Sequence, residues 1–81
     1  MEKGRIVCSL AGRDQNRLLA VIGEEDGYFL LCDGKERPLS RPKRKNPRHL
    51  SLTAGLLTEA QMSTNRALRR ALRRFAETSL V

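Results

Sequence analysis

Sixteen of the 81 side chains are lysine or arginine against nine aspartate or glutamate, and the cations gather where a polyanion can meet several at once. Seven lie between residues 35 and 50: Lys35, Arg37, Arg41, Lys43, Arg44, Lys45 and Arg48, with Glu36 the one acidic residue among them. Five more, Arg66, Arg69, Arg70, Arg73 and Arg74, recur through a short C-terminal stretch. Twelve of the sixteen are arginine, whose planar guanidinium makes bidentate bonds to phosphate oxygens. The chemistry these residues offer is neutralisation and orientation of a phosphate backbone, not bond making. The net charge of +7 and pI near 10.5 point the same way, because such a field draws polyanions toward the surface.

Other chemistries lack their parts. The single histidine, His49, has no evident serine, cysteine or aspartate partner, and no glycine-rich phosphate loop or paired carboxylates appear, so an enzyme is not expected. Cys8 and Cys32 stand 24 residues apart in apolar surroundings and read as small core side chains, since structural zinc needs four closely spaced ligands. No metal, cofactor or small-molecule substrate is expected. The longest uncharged run, His49 to Thr58, is half the length of about 20 residues that a bilayer span requires. The N-terminus has no apolar region ending in a small-residue cleavage site, and the expectation is a cytoplasmic chain without a membrane partner.

Something must position the cations, and the N-terminal third reads as that scaffold. Residues 1–34 carry four basic and six acidic side chains. Ile6 to Leu10, Leu18 to Ile22 and Tyr28 to Cys32 are short apolar or alternating runs bounded by Asp-Gly and Gly-Arg-Asp turn signals, which predicts strands, the second and third joined as a hairpin. A fourth strand is expected over about Glu36 to Leu39, with Pro38 at its end. Residues 40–48, with prolines at 42 and 47 and several cations, read as an extended, solvated basic loop. His49 to Thr53 alternates, with Leu50 and Leu52 on one face, and is expected to be the fifth strand. Strands this short cover an apolar face only by closing on one another, which predicts a small, strongly twisted barrel. Tyr28, Phe29 and Phe75 are assigned to the core.

The period then changes. Leu68, Ala71, Leu72, Phe75 and Ala76 recur at helical spacing, with the five arginines on the remaining faces, which predicts an amphipathic helix over about 65–77. Thr64 or Asn65 can cap it, and Thr58 with Gln61 has the form of a capping box. Its arginine face is either solvated while the apolar stripe docks on the barrel, or a second contact surface for RNA or a partner. The chain thus divides into a barrel, residues 1–53, and an extension, residues 54–81.

The segment Gly4 to Leu18 (GRIVCSLAGRDQNRL) resembles the KOW motif, a strand-loop-strand unit of ribosomal proteins and transcription elongation factors. Gly12, Asp14 and Arg17 match its Gly-x-Asp-x-Gly-basic loop, and Asn16 stands where the family has a second glycine. Asparagine accepts the left-handed conformation better than other non-glycine residues. Through Gly34, the basic run and His49-Leu50, residues 3–53 resemble small bacterial KOW-domain proteins related to a eukaryotic and archaeal large-subunit ribosomal protein. The resemblance implies a five-stranded SH3-like barrel, mainly β with the C-terminal helix outside the matched region, and an RNA-binding role.

With few aromatics to stack bases, the expected partner is structured RNA, ribosomal RNA by the resemblance, read through shape and phosphate. The expected contacts are Gly12, Arg13, Asn16 and Arg17 of the loop with Lys35, Arg37, Arg41, Lys43, Arg44, Lys45 and Arg48. Arg66, Arg69, Arg70, Arg73 and Arg74 form a secondary surface. KOW domains also bind proteins, so the alternative is an adaptor of the ribosomal or transcription machinery using the barrel groove or the helix stripe.

Overall fold

The computed structural model describes residues 2–79. Five strands, β1 (Arg5–Ser9), β2 (Leu18–Glu25), β3 (Tyr28–Cys32), β4 (Lys43–Lys45) and β5 (Leu50–Leu56), are followed by a helix, α1 (Asn65–Ser79). The strands form one antiparallel sheet in the order β4-β3-β2-β1-β5. The β2–β3 hairpin turns through Asp26 (φ 51°) and Gly27 (φ 82°), both left-handed, as a two-residue loop between right-twisted strands demands. Register shifts between β2 and β3 and between β1 and β5 are the bulges that increase local twist. The result is a small barrel-like sheet, mainly β, with β4 and β5 at its edges and one C-terminal helix.

Both faces of the sheet centre are covered. Val7, Leu19, Val21, Phe29, Leu31 and Leu50 form one buried cluster. Their neighbours Ile6, Ala20 and Cys32 point the other way, into a second cluster with Leu57, Met62, Leu68, Ala71 and Leu72. Two-sided burial explains why the second and third apolar runs are continuous and not strictly alternating. It also binds the two parts of the chain together: α1 supplies Leu68, Ala71 and Leu72 to the second cluster, and Leu68 is fully buried. Gly55 makes this docking possible, since a Cβ there would lie 2.6 Å from the Phe75 ring.

Three local expectations are corrected. Residues 36–39 are a turn, not a strand: Asp33 Oδ1 accepts hydrogen bonds from the amides of Lys35 (2.8 Å) and Arg37 (2.9 Å), and the Asp33 amide donates to the Arg37 carbonyl. This Asx turn satisfies locally the groups a ladder would have used. The fourth strand is instead Lys43–Lys45, opposite Leu31, Leu30 and Phe29, so the basic stretch 40–48 is not a free loop. Pro47 keeps the residue before it, Asn46, extended (φ −68°, ψ 132°), and backbone pairing is indifferent to three consecutive cations at a sheet edge, where lysine deters further pairing. Pro47–His49 then form a 3-10 turn, with Asn46 accepting from the Arg48 amide. Finally, β5 begins at Leu50 and runs to Leu56, and Leu50 and Leu52 do not share a fate: Leu50 is buried and Leu52 is 60% exposed. β5 is an edge strand, and of its residues only Leu50 is buried, in the cluster with Val7, Leu19 and Leu31.

The approach to α1 follows the sequence closely. Thr58 and Gln61 exchange reciprocal bonds, the Thr58 amide donating to Gln61 Oε1 (2.9 Å) and the Gln61 amide to Thr58 Oγ1 (3.3 Å). Thr64, not Asn65, caps α1, accepting from the Ala67 amide at 3.0 Å. The Asn65 side chain, free of capping, turns outward from the helix axis. Its Oδ1 accepts from the Leu39 amide at 2.8 Å and ties the helix start to the 33–39 turn. At that junction Gly34 (φ 80°) packs so tightly that a Cβ would overlap the Asn65 carbonyl. No helix among the described residues is long and apolar enough to cross a membrane.

Candidate nucleic-acid interface

The β1–β2 loop is shaped by two left-handed residues, Gly12 (φ 80°) and Asn16 (φ 68°). Asn16 therefore does what a glycine would do at its position, since its short polar side chain tolerates the left-handed region. The loop is closed by backbone bonds from Asn16 to the Ser9 carbonyl (2.8 Å), from Ser9 to Arg17 (3.0 Å) and from Arg17 to Asp14 (2.9 Å). Asp14 is buried at 2% exposure, and its carboxylate faces the Arg37 guanidinium at 3.4 Å. Arg17 pairs with Glu36 at 2.6 Å, and Lys45 donates to the Ala11 carbonyl at 2.7 Å. The Leu10 amide donates to the His49 carbonyl, setting the turn that carries Arg48 beside the loop.

Loop, Asx turn and β4 are in this way tied into one surface. Its cations divide into two kinds. Arg17, Arg37 and Lys45 hold the surface together, and Arg37 Nε is buried without a partner. Arg13, Lys35, Arg41, Arg44 and Arg48 are exposed, Lys43 is half-buried, and none of these six forms an ion pair among the described residues. Gly12 and Asn16 are exposed beside Arg13 at the loop tip. The Arg17–Glu36 pair is itself about half exposed, and pairs of that kind contribute only about 0–1 kcal/mol. An incoming phosphate can displace Glu36 at little cost.

On α1, Arg66, Arg69, Arg70, Arg73 and Arg74 are all exposed and form no ion pair among the described residues. At about 100° per residue they cover an arc of roughly 140° opposite Leu68 and Leu72. The helix is not remote from the first surface. Arg69 Cγ lies 3.2 Å from the position a Cβ on Gly34 would take, and Gly34 precedes Lys35 in the turn that Arg37 fastens to the loop. The 33–39 turn joins the two cationic surfaces.

One residue of this region was misassigned by the sequence pattern. Phe29 is buried and Phe75 half-buried against Gly55, but Tyr28 is 39% exposed, with the Arg44 guanidinium 4.7 Å from its ring centroid. The signal was present: Tyr28 directly follows a two-residue turn, and the first residue after a hairpin tip has little chain left to cover it. His49 is exposed. Cys32 is buried and Cys8 half-buried, both with free thiols. Burial, and secondarily the charge of Asp33, push the Cys32 thiol up to about 11, so it stays protonated. No group of three metal-ligating side chains occurs among the described residues.

No protein-family model matches the chain, and no curated protein matches it. Structure and charge by themselves define its class: a small, mainly β module that displays, on the β1–β2 loop, a sheet edge and one helix face, cations without an ion-pair partner among the described residues.

Proposed function

We propose that this chain is an RNA-binding module that grips the phosphate backbone of structured RNA, its barrel read as an SH3-like KOW domain. The observation that carries the reading is the division of the cations. Arg17, Arg37 and Lys45 fasten the β1–β2 loop to the turn and to β4, while their exposed neighbours are left without carboxylate partners among the described residues. Unpaired like charges held together repel one another, and an arrangement that keeps them so is stabilised by a polyanion. Arg13, Lys35, Arg41, Lys43 and Arg48 meet phosphates, Gly12 and Asn16 let the RNA backbone approach the loop tip, and the α1 arginines extend the contact. Ribosomal RNA is the structured RNA proposed, which makes the chain a cytoplasmic, ribosome-associated factor of translation.

A second reading, a protein adaptor, is favoured by a different observation. Leu52 and Leu56 are 60% and 50% exposed on edge strand β5, where an extended segment can add to the sheet. The apolar stripe of α1 is not free for this purpose, because Leu68 and Leu72 are spent in the core.

Ultraviolet crosslinking in cells, with sequencing of recovered RNA and mapping of adduct peptides, decides between the two. A sharp peak on one ribosomal RNA helix, with adducts between Gly12 and Arg17 or between Lys35 and Arg48, is expected. Recovery of RNA at background level overturns the RNA reading in favour of the adaptor.

A further inference from the structure

The cations described above account for a phosphate backbone, but the face of the sheet around Tyr28 is built differently. Tyr28 and Leu30 lie on one face of β3, two residues apart. Leu30 stands opposite Arg44 on β4 and opposite Gly23 on β2. Arg44 therefore points to the Tyr28 face, whereas its neighbours Lys43 and Lys45, by alternation, point to the other. Lys45 bears this out by reaching the Ala11 carbonyl. Gly23 carries no side chain, and Leu30 is the sole neighbour within 4 Å of the place its Cβ would occupy. The outcome is a shallow, open face with one aromatic ring, one guanidinium and a partly buried leucine floor.

Its surroundings are polarised. Glu24, Glu25 and Asp26 at the hairpin tip, all exposed, lie on one side, with Glu25 directly opposite Tyr28, and the cationic strand β4 lies on the other. A phosphate is repelled from the tip and attracted to β4, so a strand lying along β4 directs a base, not its phosphate, toward Tyr28.

We infer that Tyr28 and Arg44 form a stacking site for one unpaired nucleobase, placed beside the phosphate-binding surface. This rests on the RNA reading above and deepens it, since it names the part of a structured RNA that is bound: a bulge or loop adjoining a duplex. In the free protein the guanidinium occupies the ring face. On binding, the base takes its place, and Arg44 moves to that nucleotide's phosphate. The exchange is favourable because an exposed cation–π contact is weaker than base–aromatic stacking, and Arg44 regains a charged partner. One base suits a face with one ring, and the site tolerates any base, because every base has a π-face.

Tyr28 is the chain's single tyrosine, so its ring protons form an unambiguous NMR probe of the full-length protein. The experiment titrates the protein with an RNA hairpin carrying an adenosine-rich loop, and separately with the blunt duplex of its stem. Binding is followed independently by anisotropy of labelled RNA. Saturation with the hairpin is expected to move the Tyr28 ring resonances upfield, the ring-current effect of a stacked base, while saturation with the duplex leaves them in place. Tyr28→Leu is expected to weaken hairpin binding by about fivefold or more and duplex binding hardly at all. If the hairpin binds and the ring resonances stay put, or if Tyr28→Leu weakens both RNAs equally, the stacking site is refuted while phosphate binding stands. If neither RNA binds, the RNA reading fails, and the stacking site with it.

Discussion

Neutralising two unpaired arginines on the loop side should change not only RNA affinity but its salt dependence. Five cations there, Arg13, Lys35, Arg41, Lys43 and Arg48, lack a carboxylate partner among the described residues and lie outside the Tyr28 stack. If each neutralises one phosphate, the slope of log K against log salt is about −3.5 to −4.5, at roughly 0.7 to 0.9 per contact. A fourfold rise in salt then weakens binding by about 100- to 500-fold. Arg41→Ala combined with Arg48→Ala removes two contacts and makes the slope shallower by about 1.4 to 1.8. Both side chains are exposed and neither holds the fold, so the variant keeps its structure, which a thermal melt checks. The assay is anisotropy of a labelled blunt RNA duplex, which leaves Arg44 on Tyr28, over a salt series for the parent and the double variant. A parent slope near −8 means that the α1 arginines engage as well, at the same roughly 0.8 per contact. An unchanged slope in the double variant refutes phosphate contact by these residues.

The remaining predictions concern the frame. Leu68→Ala leaves a cavity at the fully buried junction of helix and sheet and is expected to cost about 2–5 kcal/mol. That lowers the melting temperature by roughly 10 °C or more for a domain of this size. Circular dichroism should show helix and sheet melting together, and a loss below about 1 kcal/mol contradicts the shared core. Cys32, with its thiol pushed from 9.0 up to about 11, keeps its proton in the folded state after the unfolded chain has lost it. Its stabilising contribution is therefore complete below pH 9 and lost as pH rises toward 11. Denaturant unfolding across that window should show a decline that Cys32→Ala reduces, and the Cys32 thiol should resist alkylation at neutral pH until the chain unfolds.

Much of the architecture was legible because it rests on short-range chemistry. The Asp26-Gly27 hairpin follows from two residues able to take positive φ, the Thr58–Gln61 box and the Thr64 cap from side chains that reach back to nearby amides, and α1 from the spacing of Leu68, Leu72 and Phe75. Asn16 at φ 68° shows the same legibility within the candidate site. The inventory of exposed cations was also readable, since charged side chains are rarely buried unpaired.

What failed to show was decided by partners distant in sequence. Lys43–Lys45 resembled a loop because its strand character comes from the free edge of β3 and not from its own side chains. Leu50 and Leu52 looked equivalent and parted because only Leu50 reaches the buried cluster of Val7, Leu19, Val21, Phe29 and Leu31. Arg17, Arg37 and Lys45 could not be told from their neighbours until Glu36, Asp14 and the Ala11 carbonyl were brought beside them. The Tyr28–Arg44 pair joins residues from two strands. Local sequence determined the elements and their total charge, because turns, caps and periodicity act over a few residues. The tertiary structure alone decided which charges hold the fold and which remain free to meet a ligand, because that depends on long-range register.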